Sequence, residues 1–201
     1  MRVIALTGGI ASGKSTVSRR LASMGAHIVD ADLLSREAVA PGSPGLSKVV
    51  ERFGPAVLAG DGSLDRAALG TIVFSDAAAR ADLNAIVHPE VRRLAAERLA
   101  AIGRTASDAI AVYDVPLLVE TGVDHDFDLI VVADADARTR TERLVALRGL
   151  DPGEAARRVA AQASDEERRA VADVLIDTTG TLEHTDEQVD RLWSDLVAGP
   201  R

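Results

Sequence analysis

Cysteine is absent from the 201 residues, which excludes disulfides and thiolate catalysis and is compatible with a reducing compartment. Aromatic residues are nearly as scarce, with one Trp, one Tyr and three Phe. The core must therefore be Ala, Val, Leu and Ile, and too few flat rings exist to stack the bases of single-stranded nucleic acid. Of the 23 basic residues only Lys14 and Lys48 are lysines, so a lysine at a chemically demanding position is unlike filler. No apolar run reaches the roughly 18 residues that a membrane-spanning helix needs. The apolar stretch 3–6 is too short for a signal peptide and runs straight into glycines. With a formal net charge of −8, no overall field draws in DNA, RNA or an anionic membrane, so an anionic substrate must be met by local basic groups. The chain is expected in the cytoplasm, with neither nucleic acid nor membrane as a partner.

What is present is a regular alternation. Residues 3–7 form a short apolar run stopped by Gly8-Gly9, as in a strand buried on both faces. Helical spacing follows over 15–24 and ends at Gly25, a position suited to a C-cap. Further strands are predicted at 27–29, 109–115, 129–133 and 174–176. Helical patterns cover 33–39, 46–53, 66–74, 138–148, 154–162 and 183–197, with a long helical region over 76–102 interrupted at His88-Pro89. Short buried strands separated by helices imply a five-stranded parallel sheet covered on both faces, a three-layer α/β/α fold. Ligands of such sheets bind beyond the C-terminal strand ends. That rule sets 8–15, 30–32 and 114–118 along one rim.

The segment Gly8-Gly9-Ile10-Ala11-Ser12-Gly13-Lys14-Ser15 matches G-x-x-x-x-G-K-[ST] in full, after a strand and before a helix, as the P-loop NTPase fold requires. Its glycines let backbone N–H groups turn inward, and the helix start adds its positive end. Gly9, Ile10, Ala11, Ser12, Gly13, Lys14, Ser15 and Thr16 are the candidate ATP-binding residues. Lys14 reaches the β- and γ-phosphates and the Ser15 hydroxyl ligates Mg²⁺. At the end of the second strand stand Asp30 and Asp32. Asp30 has two open readings, a helix N-cap or a water-mediated Mg²⁺ ligand. Asp32 is the favoured general base for an attacking hydroxyl.

Taken together, these blocks resemble the dephospho-coenzyme A kinases. The resemblance is carried by Leu6-Thr7 with the loop, Val29-Asp30-Ala31-Asp32, Arg36, Pro41-Gly42 and His88-Pro89. It continues in Asp114-Val115-Pro116-Leu117-Leu118-Val119-Glu120, Ala160-Ala161-Gln162 and Ala172-Asp173-Val174-Leu175-Ile176-Asp177. It runs in order over nearly the whole chain, and Pro116-Leu117-Leu118 is its most discriminating block. What it implies is a single P-loop kinase domain over 1–201, with a helical substrate-binding insertion over about 33–105 and a helical lid over about 138–170. The implied reaction is transfer of the ATP γ-phosphate to the ribose 3′-hydroxyl of dephospho-coenzyme A, with Asp32 as base. Thr178 stands where the family often has Asn.

Residues 138–169 hold eight arginines, most of them expected on a solvated helix face paired with neighbouring acids. A kinase nonetheless needs arginines on a closing lid to neutralise the migrating phosphoryl group. Arg140 is the first choice for that contact and Arg143, as a nucleotide contact, the second. Asp114 is read equally as a water-mediated Mg²⁺ ligand or a turn cap. Arg36 and His88 are candidate substrate contacts, although His88 also fits a satisfied helix-end histidine. Pro116, Leu117 and Leu118 fit either an apolar wall for the substrate or plain core. His27, His125 and His184 show no metal-ligand spacing, and Trp193 is expected in the core. Rival readings are another P-loop nucleoside, nucleotide or shikimate kinase, a regulatory NTPase, and an inactive nucleotide-binding module. The N-K-x-D motif of switch GTPases is missing.

Overall fold

The computed structural model describes residues 1–121 and 127–199; His125 lies outside them. Five strands, β1 (Arg2–Thr7), β2 (His27–Asp30), β3 (Ile110–Asp114), β4 (Leu129–Asp134) and β5 (Val174–Asp177), form one sheet in the order β2-β3-β1-β4-β5. β1 is flanked in parallel by β3, with Leu6 opposite Asp114, and by β4, with Thr7 opposite Val132. β4 pairs in parallel with β5. Every residue of β3 is buried, the continuous apolar run expected of an interior strand covered on both faces.

Helices α1 (Lys14–Ser23) and α10 (Leu182–Ala198) supply the apolar stripes that cover one face. Val17 and Leu21 of α1, and Val189, Leu192 and Leu196 of α10, pack against Ile4, Leu6, Val112, Val131 and Ile176, with Trp193 partly buried beside them. Each such aliphatic side chain contributes about 1.5–3 kcal/mol when fully buried, which is how a core with Tyr113 as its one fully buried aromatic suffices among the described residues.

The described chain divides into two compact units, one of Met1–Val29 with Ala101–Arg201 and the other of Asp30–Ala100. The second contains α2 (Ala31–Glu37), α3 (Pro44–Phe53), a 3₁₀ turn at Pro55–Val57, α4 (Arg66–Ser75) and most of α5 (Ala77–Thr105). It has its own core of Val39, Val49, Val57, Leu69, Val73 and Ala79. The expected break at His88-Pro89 does not occur, and α5 runs unbroken through Pro89. A proline removes one backbone donor from a helix interior. Here Ile86 and Val87 before it pack on that core, and Leu94 and Ala95 after it are buried, so packing holds the helix on both sides of the fault.

The remaining helices are α6 (Leu118–Thr121), α7 (Ala137–Arg148), α8 (Pro152–Ala160) and α9 (Asp165–Ala170). The sequence reading anticipated neither α6 nor α9. For α9 the signal was available: Ser164 and Glu167 form a capping box with both arms present, the S-x-x-E pattern that starts helices.

Candidate active site

The loop between β1 and α1 is a tight, partly strained turn. Ser12 N–H donates to the Gly9 carbonyl at 3.0 Å, and Ala11 takes φ +60°, the one non-glycine at positive φ among the described residues. A left-handed conformation costs a residue with a Cβ about 1–2 kcal/mol, so the surroundings must hold it. Three residues do so at three successive positions. Gln162 Oε1 accepts from Ile10 N–H at 2.7 Å, Arg143 Nη1 donates to the Ala11 carbonyl at 3.3 Å, and the Thr178 hydroxyl donates to the Ser12 carbonyl. Arg143 also donates to the Thr178 carbonyl, and Thr178 is tied to β4 through Asp134 O at 2.9 Å. Thr178 is thus the seat of the loop, a role the sequence did not reveal. At Gly13, φ is +88° and an added Cβ would lie 3.2 Å from Thr178 Cβ, so glycine is needed there on both counts.

Ile10 and Ala11 also pack on a small apolar cluster of Leu144, Ala155 and Val159 from α7 and α8. The segment expected to be a lid is therefore in contact with the phosphate loop.

Lys14, at the first position of α1, forms an ion pair with Asp114 at the end of β3. Their side chains are 19% and 6% exposed, so the cation is reachable while its partner is not. The sheet register brings them together, because Asp114 lies opposite Leu6, two residues before the loop. Ser15 is exposed in the first turn of α1. After Asp114, the Val115 N–H extends the ladder to the Leu6 carbonyl at 2.9 Å. Leu118 is core at 6% exposure, whereas Leu117 is 42% exposed; the Pro116-Leu117-Leu118 block thus serves packing at one end and offers an apolar surface at the other.

Arg140 is almost fully buried. Its Nε donates to the Ala135 carbonyl at 3.1 Å and Nη2 pairs with Asp165, whose other oxygen accepts from Ala137 N–H at 3.0 Å. Its Nη1 has no hydrogen-bond partner among the described residues and lies against Gly9, where an added Cβ would fall 3.0 Å from Cζ. The hydroxyl of Ser12, also buried, has no partner among them either. Native proteins rarely leave buried polar groups unpaired without a functional reason. Two such groups stand at this loop, and Arg168 Nε is a third among the described residues. Asp165, the partner that fixes Arg140, escaped sequence reasoning because it sits in the unanticipated α9.

The other arginines sort by burial. Arg138 and Arg158 make exposed pairs with Glu142 and Glu154 one helical turn away, the solvated face expected of them. Arg168 is buried and pairs with Glu120. Burial raises the Glu120 pKa, but the Ala163 N–H, the Arg168 charge and its hydrogen bond outweigh that and leave it below the usual range.

Asp32, Arg36 and His88 belong to the Asp30–Ala100 unit. Asp30 is the N-cap of α2, its carboxylate accepting from Asp32 N–H at 2.8 Å and Leu33 N–H at 3.1 Å. Asp32 and Arg36 are exposed on α2 and four residues apart, on one face of that helix. His88 is half-buried in α5, and burial, then the Arg92 charge, lowers its pKa. Among the described residues no group of His, Asp or Glu is arranged to hold a metal ion by itself, and no helix is long and apolar enough to cross a membrane.

A parallel sheet in this strand order, with a glycine-rich loop, its lysine and a helix start at the end of the central strand, defines a P-loop kinase. Residues 2–184 match the family described as dephospho-CoA kinase. The relatives called dephospho-CoA kinase include one from Leifsonia xyli, 56% identical over 98% of this chain and 99% of its own. Another, from Streptomyces avermitilis, is 51% identical over 98% and 95%. The chain belongs to the dephospho-CoA kinase family. A solved structure from Thermus thermophilus is 34% identical with a TM-score of 0.79, covering 96% of each chain. A dephospho-CoA kinase from Campylobacter jejuni, 22% identical with a TM-score of 0.69 over 98% of each chain, shares the fold.

Proposed function

We propose that this chain transfers the γ-phosphate of ATP to the 3′-hydroxyl of the ribose of dephospho-coenzyme A, giving coenzyme A and ADP. The observation that carries the reading is the phosphate loop itself, with Lys14 set by Asp114 at its mouth and two buried polar atoms, Arg140 Nη1 and Ser12 Oγ, without partners beside it.

In this reading the amides of residues 9–16 and the positive end of α1 bind the β- and γ-phosphates, and Lys14 spans them. Arg140, immobilised by Asp165, turns its unpaired N–H groups to the migrating phosphoryl group, where a fixed donor costs no reorganisation as charge shifts. Arg143 adds a positive charge on the nucleotide side. The hard oxygen donors suited to Mg²⁺ are the exposed Ser15 hydroxyl and, through water, the Asp114 carboxylate. The ion would supply charge neutralisation between the phosphates.

The Asp30–Ala100 unit serves the acceptor and residues 138–170 act as the lid. Asp32 takes the proton of the 3′-hydroxyl as its oxygen bonds to the γ-phosphorus and the bond to the β-phosphate oxygen breaks. Arg36 and His88 contact the acceptor, and the exposed edge of Pro116-Leu117-Leu118 lies along its apolar part. The cytoplasm is the proposed location.

The test is an acceptor screen with dephospho-coenzyme A, adenosine, AMP and shikimate, run with wild type and Asp32→Asn. Wild type should phosphorylate dephospho-coenzyme A far faster than the others, and the variant should lose about 10²–10⁴ in kcat. Preference for another acceptor would overturn the reaction. ATP turnover independent of any acceptor would point to a hydrolase, and an unchanged variant would remove Asp32 as base.

A further inference from the structure

We propose that Gln162 is a positioning residue for phosphoryl transfer, holding the phosphate loop in its ATP-ready shape through the Ile10 N–H. The inference rests on the ATP-binding reading above and assigns a task to a residue outside that mechanism.

The turn Gly9–Ser12 closes on a single internal hydrogen bond and contains Ala11 in a left-handed conformation. Left to itself, such a turn relaxes. Of its three external pins, those from Arg143 and Thr178 take carbonyls, and the Gln162 pin alone takes an amide. An oxygen on Ile10 N–H fixes the peptide plane between Gly9 and Ile10, from which the following amides are aimed. The N–H groups of Ala11 and Gly13 have no hydrogen-bond partner within the described residues, so they remain free for a phosphate.

Gln162 is itself held at a defined place. Its N–H donates to Val159 O at 3.3 Å at the end of α8. The next residue is clamped at both polar atoms: Ala163 N–H donates to Glu120 Oε1 at 2.9 Å, and its carbonyl accepts from Arg168 Nη1 at 2.6 Å. Glu120 and Arg168 are paired with each other, and the arginine side chain is 4% exposed. Only the arginine of this ion pair is buried, and such a pair is weak evidence for net stability. Here it fixes the residue adjoining Gln162. A continuous path of contacts thus runs from α6, just past Pro116-Leu117, through Glu120, Ala163 and Gln162 to the phosphate loop.

The experiment compares Gln162→Met, of similar length without the acceptor, with Gln162→Glu, which keeps an oxygen. Hydrogen exchange of the Ile10 amide reports the pin directly in the absence of ATP. It should speed up about tenfold in Gln162→Met, as the loss of one hydrogen bond implies, and stay near wild type in Gln162→Glu. In steady-state assays Gln162→Met should raise KM for ATP about tenfold, with KM for dephospho-coenzyme A within about twofold and the melting temperature lowered by no more than about 4 °C. Equal Ile10 exchange in the two variants would overturn the inference. So would a uniform loss in both KM values and in stability, which marks a merely structural residue. If wild type fails to phosphorylate dephospho-coenzyme A, the reaction assigned above falls, while the exchange comparison still decides the role of Gln162.

Discussion

Lys14 and Asp114 form an ion pair between the phosphate loop and the end of the strand beside it, 100 residues apart in sequence. The carboxylate holds the amine over the loop before any nucleotide arrives. Lys14→Met keeps the aliphatic stem but removes the charge. We expect kcat to fall by at least about 10²-fold, since electrostatic contacts to the transferred group carry that much. Thermal unfolding should also report a loss of about 1–3 kcal/mol, because the largely buried Asp114 loses a charged partner. Wild-type turnover in this variant would separate the lysine from the chemistry.

The two aspartates after β2 should separate cleanly by measurement. Asp30 satisfies two backbone donors at the start of α2, so Asp30→Ala should lower stability by about 1 kcal/mol, seen as a lower denaturant midpoint. Asp32 is exposed, and Asp32→Asn should leave that midpoint in place while removing turnover. A reversed pattern would exchange their roles.

Arg140 and Gly9 constrain one another. Gly9→Ala drives a methyl group into the Arg140 guanidinium, and overpacking of this kind costs about 1–3 kcal/mol. We expect kcat to fall about tenfold or more as the arginine is displaced. Arg140→Ala should go further, lowering kcat and also destabilising the fold by about 3 kcal/mol by leaving Asp165 without its cation. Retention of wild-type kcat by Arg140→Ala would rule out a role in transfer.

His88 provides a pH test. Burial and the Arg92 charge lower its pKa from the ordinary 6.5, so as pH falls below about 6.5 the unfolded chain takes up the proton before the folded one. Stability is therefore lost from about 6.5 downward, until the folded imidazole also titrates, and this contribution vanishes above that pH. His88→Gln should unfold with a shallower pH dependence in that window. An NMR titration midpoint for His88 at or above 6.5 would refute it.

Much of this was legible in the chain because the signals are local. An apolar strand, a glycine-rich turn and a helix start occur together between residues 2 and 23, and Asp30 announces its cap by residue type and place. The strand pattern was equally clear for β1, β3 and β4, whose buried runs read as continuous apolar stretches, and was carried by apolar residue type in the short, more exposed β2 and β5. What sequence could not show depends on pairing over long distances. Asp165 meets Arg140 across 25 residues, Gln162 meets Ile10 across 152 and Thr178 meets Ser12 across 166. The Pro89 expectation failed for a related reason: a local rule against proline in helices was overridden by packing on either side of it.

The order of strands in the sheet has a consequence for how the molecule is made. β1 is the first strand to be synthesised, yet both its neighbours, β3 and β4, lie more than a hundred residues downstream. Asp30–Ala100 is contiguous and has its own core, so it can collapse on nearby contacts while β1 waits without partners. Contacts this distant in sequence slow folding, because a long loop must close before they reward it. On the ribosome, β1 leaves the tunnel well before the strands that flank it, and it is among the last elements to take its final form.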